Sequence, residues 1–331
     1  MGMMLSSRLR LSATLAILLT ISLSGSVLFA QQARDKDRLD NREFVSAEAV
    51  LWREPADLPS RDLFLGPGGE AGRPDLTNVT FIKVDTGGYS TKWHVRDGLG
   101  RKWVIKLGNE ARPETAAVRL VWAGGYVTEI NYLAPCVHIK GAPKQPKKDD
   151  SCEGDGFADV RFEARPENVK RLDDWAWKGN PFVGKKELNG LIVLMALLNN
   201  WDLKDSNNKV LQVSTDGRIE RHYVISDLGA TFGKTGGFIS RSRDKPESYV
   251  KTKFVEGIEH GSVRFAYHGK KGDLLDNVSV ADAKWIGSLL AQLSDEQIQD
   301  AFRAANFTPE EIRMLAESVK ARIDQLVNLP G

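Results

Sequence analysis

The sequence predicts an α+β chain, with strands gathered ahead of about residue 165 and helices behind it. Three observations predict this. Residues 79–84 and 92–96 flank the Gly-bearing segment Asp85-Thr86-Gly87-Gly88-Tyr89-Ser90-Thr91. Asp97-Gly98 and Leu99-Gly100 then turn the chain into Lys102-Trp103-Val104-Ile105-Lys106-Leu107, and apolar runs joined by such turns read as hairpins. Further on, Leu191 to Leu198 is an unbroken apolar run. It reads as a helix buried on all sides and is too short to span a bilayer. At the C-terminal end, Ser294-Asp295-Glu296-Gln297 is a capping box, and Thr308-Pro309-Glu310-Glu311 combines a cap, a first-turn Pro and a box Glu. Ile298, Phe302, Ile312, Leu315, Val319, Ile323 and Leu326 recur at helical spacing behind these starts and mark packing helices.

The remaining elements follow in order. Residues 31–77 are rich in Pro and Gly (Glu54-Pro55, Leu58-Pro59, Gly66-Pro67-Gly68-Gly69) and read as an irregular strap. Arg112-Pro113-Glu114 opens a helix that Gly124-Gly125 closes, with Pro113 expected at its first position. Residues 127–138 and 158–162 read as further strands, and Trp175 and Trp177 as packing residues. Residues 209–213 and 219–225 flank Thr215-Asp216-Gly217, an Asp-Gly hairpin signal. Gly233-Lys234-Thr235-Gly236-Gly237 reads as a flexible segment.

Composition excludes little but is consistent. Of 331 residues, 27% are charged and 41% hydrophobic, ordinary for a globular protein, and a net charge of +2 gives no basis for a nucleic-acid groove. Arg8 and Arg10, the apolar stretch Leu11 to Leu23, and Ala30 before Gln31-Gln32 predict a signal peptide over residues 1–30. The expected location is therefore periplasmic or secreted, with no stable membrane span after cleavage; an uncleaved anchor is the alternative. Export gives Cys136 and Cys152, the two cysteines, an oxidising setting in which either a disulfide or two separate thiols would fit. The five histidines form no close ligand pair, so zinc is not expected.

Chemistry concentrates in two motifs, Trp201-Asp202-Leu203-Lys204-Asp205-Ser206-Asn207 and Ile225-Ser226-Asp227-Leu228-Gly229. Two carboxylates brought together repel and raise one pKa unless a cation lies between them. An Asp followed five residues later by Asn, then a strand ending in Asp-x-Gly, supplies the oxygen ligands that a hard cation favours. Phosphoryl transfer asks for the same set: a carboxylate to orient the acceptor hydroxyl, an Asn and a second carboxylate for metal, and a Lys for the phosphates. Lys106, ending an apolar strand, is the candidate Lys.

These residues resemble the protein-kinase-like superfamily in its atypical and secreted branches. Phosphatidylinositol kinases, HipA-like kinases, spore-coat CotH-type kinases and secreted Golgi kinases belong to those branches. The resemblance covers about residues 78–235. Asn200-Trp201 stands where the family usually has His-Arg, the full Gly-x-Gly-x-x-Gly is absent, and no Ala-Pro-Glu follows Asp227.

The resemblance implies a bilobal fold, with a small antiparallel-sheet lobe over 78–165 and a larger, mainly helical lobe over 166–331. The hinge is placed near Ala164-Arg165-Pro166, where adenine would contact the backbone. ATP and Mg²⁺ or Mn²⁺ are the implied cofactors. Lys106 would contact the α- and β-phosphates, held by Glu114, with Glu110 as the rival. Gly87, Gly88, Ser90 and Thr91 would cover the phosphates; Asn207 and Asp227 would hold metal. Asp202 would orient the acceptor hydroxyl, and Lys204 would offset charge on the transferring group. The implied function is an exported kinase that transfers phosphoryl, or AMP, to a hydroxyl on a protein, lipid or small molecule. An exported pseudokinase, acting as a binding or scaffolding protein, is the alternative.

Overall fold

The computed structural model describes residues 47–87, 90–237 and 240–330. The expected signal peptide, residues 31–46 of the strap and the phosphate-loop candidate Gly88 lie outside the described residues. The fold is α+β. Strand β1 (Glu48–Val50) leads through four short 3₁₀ turns into β2 (Val79–Asp85), β3 (Lys92–Arg96) and β4 (Lys102–Lys106). Helix α1 (Ala111–Ala123) is followed by β5 (Asn131–Val137), β6 (Ile139–Lys140), β7 (Phe157–Ala164) and β8 (Val169–Arg171). Next come α2 (Lys186–Leu197), β9 (Asn208–Thr215), β10 (Arg218–Ile225), α3 (Pro246–Tyr249), β11 (Val255–Glu259) and β12 (Ser262–Phe265). Helices α4 (Val280–Leu290), α5 (Asp295–Arg303) and α6 (Pro309–Val327) complete the chain.

Six strands form one sheet in the order β5-β7-β4-β3-β2-β6, and β1, β10, β9 and β8 form a second. Within the larger sheet the antiparallel register decides which side chains meet. Trp93 pairs with Ile105 and Val95 with Trp103; all four are buried in an apolar cluster with Val160 and Phe162. Because side chains alternate along a strand, Val104 and Lys106 lie on the opposite face. The neighbouring register sets Glu163 beside Val104 and Arg161 beside Lys106. A row of charge is therefore dictated by the same pleat that builds the apolar core.

The larger core surrounds α2, whose residues from Leu191 to Leu197 are all buried, as its continuous apolar run requires. Trp175 and Trp177 are packed edge to face within it. Both predicted capping boxes form, at Ser294 and Thr308. Helix α1 starts at Ala111, two residues ahead of the expected start at Pro113; the missing Pro N–H still falls in the first turn, where it has no intrahelical partner. Leu51, Leu58 and Leu63 of the strap join the large core, and Gln297 donates to the carbonyls of Leu58 and Arg61 at 2.9 Å each. Cys136 and Cys152 are disulfide-bonded. Among the described residues no helix is long and apolar enough to cross a membrane.

Candidate active site

Lys106 is 1% exposed, and an ammonium so buried must be paired. Its Nζ lies 2.6 Å from Glu114 Oε2, 3.2 Å from Glu110 Oε2 and 3.2 Å from Asp227 Oδ1. Both helix candidates thus reach the Lys, since they stand one turn apart on the same face. Glu114 is the deeper of the two, with Arg161 Nη1 at 2.6 Å from its Oε1. Burial pushes the Glu114 carboxyl up, against the pull of Arg161 and Lys106. Glu110 accepts from the Ser90 hydroxyl and pairs with Arg243.

Asp227 and Asn207 are set side by side by the main chain. The Asn207 carbonyl accepts from Ser226 N at 2.7 Å and Asp227 N at 3.3 Å. Asn207 Nδ2 donates to the Asp202 carbonyl at 2.6 Å, which leaves Oδ1 as the amide atom available to a cation. Asp227 Oδ1 accepts from Gly229 N at 3.1 Å. Burial pushes its carboxyl up, but Lys106 and the Gly229 N–H outweigh that and hold it below the ordinary range. Gly229 has a steric duty too: a Cβ there would lie 2.7 Å from Glu110 Cβ. One amide oxygen and one ionised carboxylate fit Mg²⁺ or Mn²⁺, which retain waters and take phosphate oxygens as further ligands. Among the described residues no group of three or more His, Cys, Asp or Glu forms a cation site.

Asp202 is clamped by two ammonium groups, Lys270 at 2.6 Å from Oδ1 and Lys204 at 2.9 Å from Oδ2. Burial raises its pKa, and the two lysines more than reverse this, so the carboxyl stays ionised.

All these groups converge on a cleft of about 1050 Å³ that lies inside one compact unit, residues 49–215 with 220–331. Gly87, Ser90, Lys106, Asp202, Lys204, Asn207 and Asp227 line it; Glu114 acts from behind Lys106. Thr91 lines a neighbouring pocket of about 410 Å³ instead. Eleven Lys or Arg and six Asp or Glu face the cleft, an excess that suits a polyanion such as a triphosphate. Sequence reasoning missed Lys270, Arg243 and Arg161. A signal existed for the last: Arg161, Glu163 and Arg165 alternate with apolar residues at period two, the mark of a charged strand face.

No family model matches the chain, and no curated protein matches it. Among solved structures it is similar to the proinflammatory kinase CtkA of Helicobacter pylori, at 11% identity and a TM-score of 0.42, covering 75% of this chain and 92% of that one. It is also similar to the Golgi casein kinase with Mn and ADP bound, at 10% identity and a TM-score of 0.36, covering 77% and 73%. A third is the Rio2 kinase complex with ADP, Mg²⁺ and phosphoaspartate from Chaetomium thermophilum, at 12% identity and a TM-score of 0.31, again covering 77% and 73%. Likenesses this distant decide nothing about chemistry.

Proposed function

We propose that the chain is a metal-dependent phosphotransferase that moves the γ-phosphoryl group of a nucleoside triphosphate, ATP by the resemblance, to a hydroxyl acceptor. One observation carries this reading: Lys106, Asp227, Asn207 and Asp202 line one cleft and are joined by direct contacts. They are the Lys, the two metal-holding groups and the hydroxyl-orienting carboxylate that phosphoryl transfer needs.

Asn207 Oδ1 and Asp227 would hold a Mg²⁺ or Mn²⁺ ion, whose contribution when bound would be to neutralise phosphate charge. Lys106, fixed by Glu114, supplies a positive charge beside Asp227 for the α- and β-phosphates. Asp202 accepts a hydrogen bond from the acceptor hydroxyl and aims its oxygen at the γ-phosphorus. Lys204 and Lys270, already at the Asp202 carboxylate, offset charge on the transferring group. Held ionised, Asp202 is a weak base, so its contribution is orientation with late proton transfer. By its leader, the protein acts outside the cytoplasm.

The test is a thermal-shift titration of the protein with ATP plus Mg²⁺ or Mn²⁺ beside Asp227→Ala. Ligand at 100 times its dissociation constant stabilises the native state by about 2.7 kcal/mol. A metal-dependent shift absent from the variant supports the reading; a wild-type protein that gives no shift removes it.

A further inference from the structure

Asp202 is covered at both of its carboxylate oxygens. Oδ1 is buried, with Lys270 Nζ 2.6 Å away. Oδ2 has Lys204 Nζ at 2.9 Å and Asn207 Nδ2 at 3.4 Å. An acceptor hydroxyl that is to bond this carboxylate must therefore take the place of an ammonium group.

The main chain presents Lys270 to that position. Lys270 N donates to the Trp201 carbonyl at 2.8 Å, the Tyr267 hydroxyl donates to the Asn200 carbonyl at 2.6 Å, and Lys271 Nζ lies 2.7 Å from Asp205 Oδ2. Residues 267–271 are thus fastened along the loop that carries Asp202. Gly269 comes so close that a Cβ there would stand 2.7 Å from Trp201 Cα. The backbone is held, but the ammonium rides on a flexible four-carbon stem, and 40% of the side chain is exposed. Lys204 has the same freedom, at 47%. Both line the cleft and can turn from Asp202 to a ligand within it.

What they turn to decides the acceptor. A neutral hydroxyl compound parts a carboxylate from its ammonium groups and offers no charge in return, whereas an anionic one supplies a new partner. Two ammonium groups are released. A phosphate monoester, with about two negative charges and three acceptor oxygens, takes both; a carboxylate brings one charge. The Arg241 guanidinium, stacked on Trp201 next to Asp202, adds positive potential on the same side. Hydroxyl and anion must also lie together, within reach of one carboxylate and its two lysines. A sugar or polyol phosphate carries them on one small skeleton. In an extended peptide they sit on separate side chains, and neighbouring ones point to opposite faces.

We propose that the acceptor is a phosphorylated polyol such as a sugar phosphate, whose phosphate draws Lys270 and Lys204 off Asp202 and opens the carboxylate to the hydroxyl. This rests on the phosphotransferase reading above. The acceptor oxygen bonds to the γ-phosphorus as the bond from that phosphorus to the β,γ-bridging oxygen breaks. Nucleoside diphosphate leaves, the hydroxyl proton passes through Asp202 to solvent, and the product is a polyol bisphosphate.

The experiment is calorimetric titration of the whole protein, first saturated with Mg²⁺ and a non-hydrolysable ATP analogue so that the triphosphate positions are filled. The probes are inorganic phosphate, glucose 6-phosphate, glucuronate and a serine peptide flanked by glutamates, in wild type, Lys270→Met and Lys204→Met. Phosphate and glucose 6-phosphate should bind wild type about 10-fold more tightly than glucuronate or the peptide, and each variant should lose about 10-fold in phosphate affinity. Phosphate that fails to bind the nucleotide-loaded protein, or that binds both variants as it binds wild type, would overturn the inference and leave the nucleotide site standing. Glucuronate or the peptide binding as tightly as phosphate would also overturn it, making the acceptor's anion a carboxylate. No metal-dependent binding of the ATP analogue by wild type would overturn both readings together.

Discussion

Lys106 Nζ sits 2.6 Å from Glu114 Oε2 in a pocket where both side chains are 1% exposed. The carboxylate serves two cations, since Arg161 contacts its other oxygen. Removing one partner of a buried ionic cluster leaves charge without compensation and costs about 3–5 kcal/mol. Glu114→Gln should therefore lose stability of that order in urea unfolding, with the slope of the transition unchanged. A cost below about 1 kcal/mol would mean that Glu110 and Asp227 suffice to hold Lys106.

Gly229 is fixed by its neighbour and not by backbone conformation. A methyl group there would meet Glu110 Cβ at 2.7 Å and Cγ at 3.0 Å, and neither atom is the free end of a flexible side chain. Gly229→Ala must push α1 away from Asp227 and pull Glu110 off Lys106. Strain of about 1–3 kcal/mol is expected, with at least a 10-fold loss of metal-nucleotide affinity measured calorimetrically. Wild-type affinity in the variant would show that the Glu110 contact does not set the site.

Lys106, Asp202, Asn207 and Asp227 were legible because each belongs to a short motif whose spacing survives in one dimension. The strands around Lys106 and both C-terminal capping boxes were legible for the same reason. Lys270 reaches Asp202 across 68 residues of chain and Arg243 reaches Glu110 across 133, and no local pattern encodes either approach. At Ala164-Arg165-Pro166, where the hinge was expected, the Ala164 and Arg165 N–H groups donate to the Ile130 and Lys102 carbonyls, bonds that only the folded register creates. Helix α4 and the β11–β12 hairpin were missed although Ser279 caps the helix and His260-Gly261, both at positive φ, turn the hairpin. A cap residue and a turn Gly are local signals, so both elements were within reach of the sequence.

The Cys136–Cys152 disulfide joins β5 to the segment ahead of β7, and Gly156 lies so close that a Cβ there would be 2.7 Å from Cys152 Sγ. Closing a loop of this size is worth about 3 kcal/mol in the chain-entropy account. Cys136→Ser with Cys152→Ser should lower the unfolding free energy by about that amount. The cleft residues lie outside the loop, so nucleotide affinity should hold. A variant as stable as wild type would make the bridge incidental.

Asp202 contacts Lys204, Lys270 and Asn207, so Asp202→Asn keeps the shape and one of the two lysine hydrogen bonds while removing the charge. Nucleotide affinity should stay within about 3-fold, because Lys106, Asn207 and Asp227 remain. Transfer should fall by about 10²–10⁴, the range for loss of a positioned acid–base group. Single-turnover assays with a hydroxyl acceptor measure this, and full activity in the variant would exclude Asp202 from the role.

Asp244 predicts a pH dependence that belongs to the fold and not to transfer. Its side chain is 13% exposed and faces Arg112 at 3.9 Å, with Glu311, Asp159 and Lys245 also acting on it. Burial dominates and raises its pKa to about 6. The folded protein therefore binds more protons here than the unfolded chain between about pH 4 and pH 6, and stability falls as pH rises through that window. A rise of that size corresponds to about 2–3 kcal/mol. Asp244→Asn removes the ionisation, and Asn tolerates the positive φ of 48° at this position. The variant should match wild type near pH 4 and exceed it by about 2 kcal/mol at pH 8 in urea unfolding. A variant less stable than wild type at pH 8 would show that the Arg112 attraction outweighs the burial of the charge.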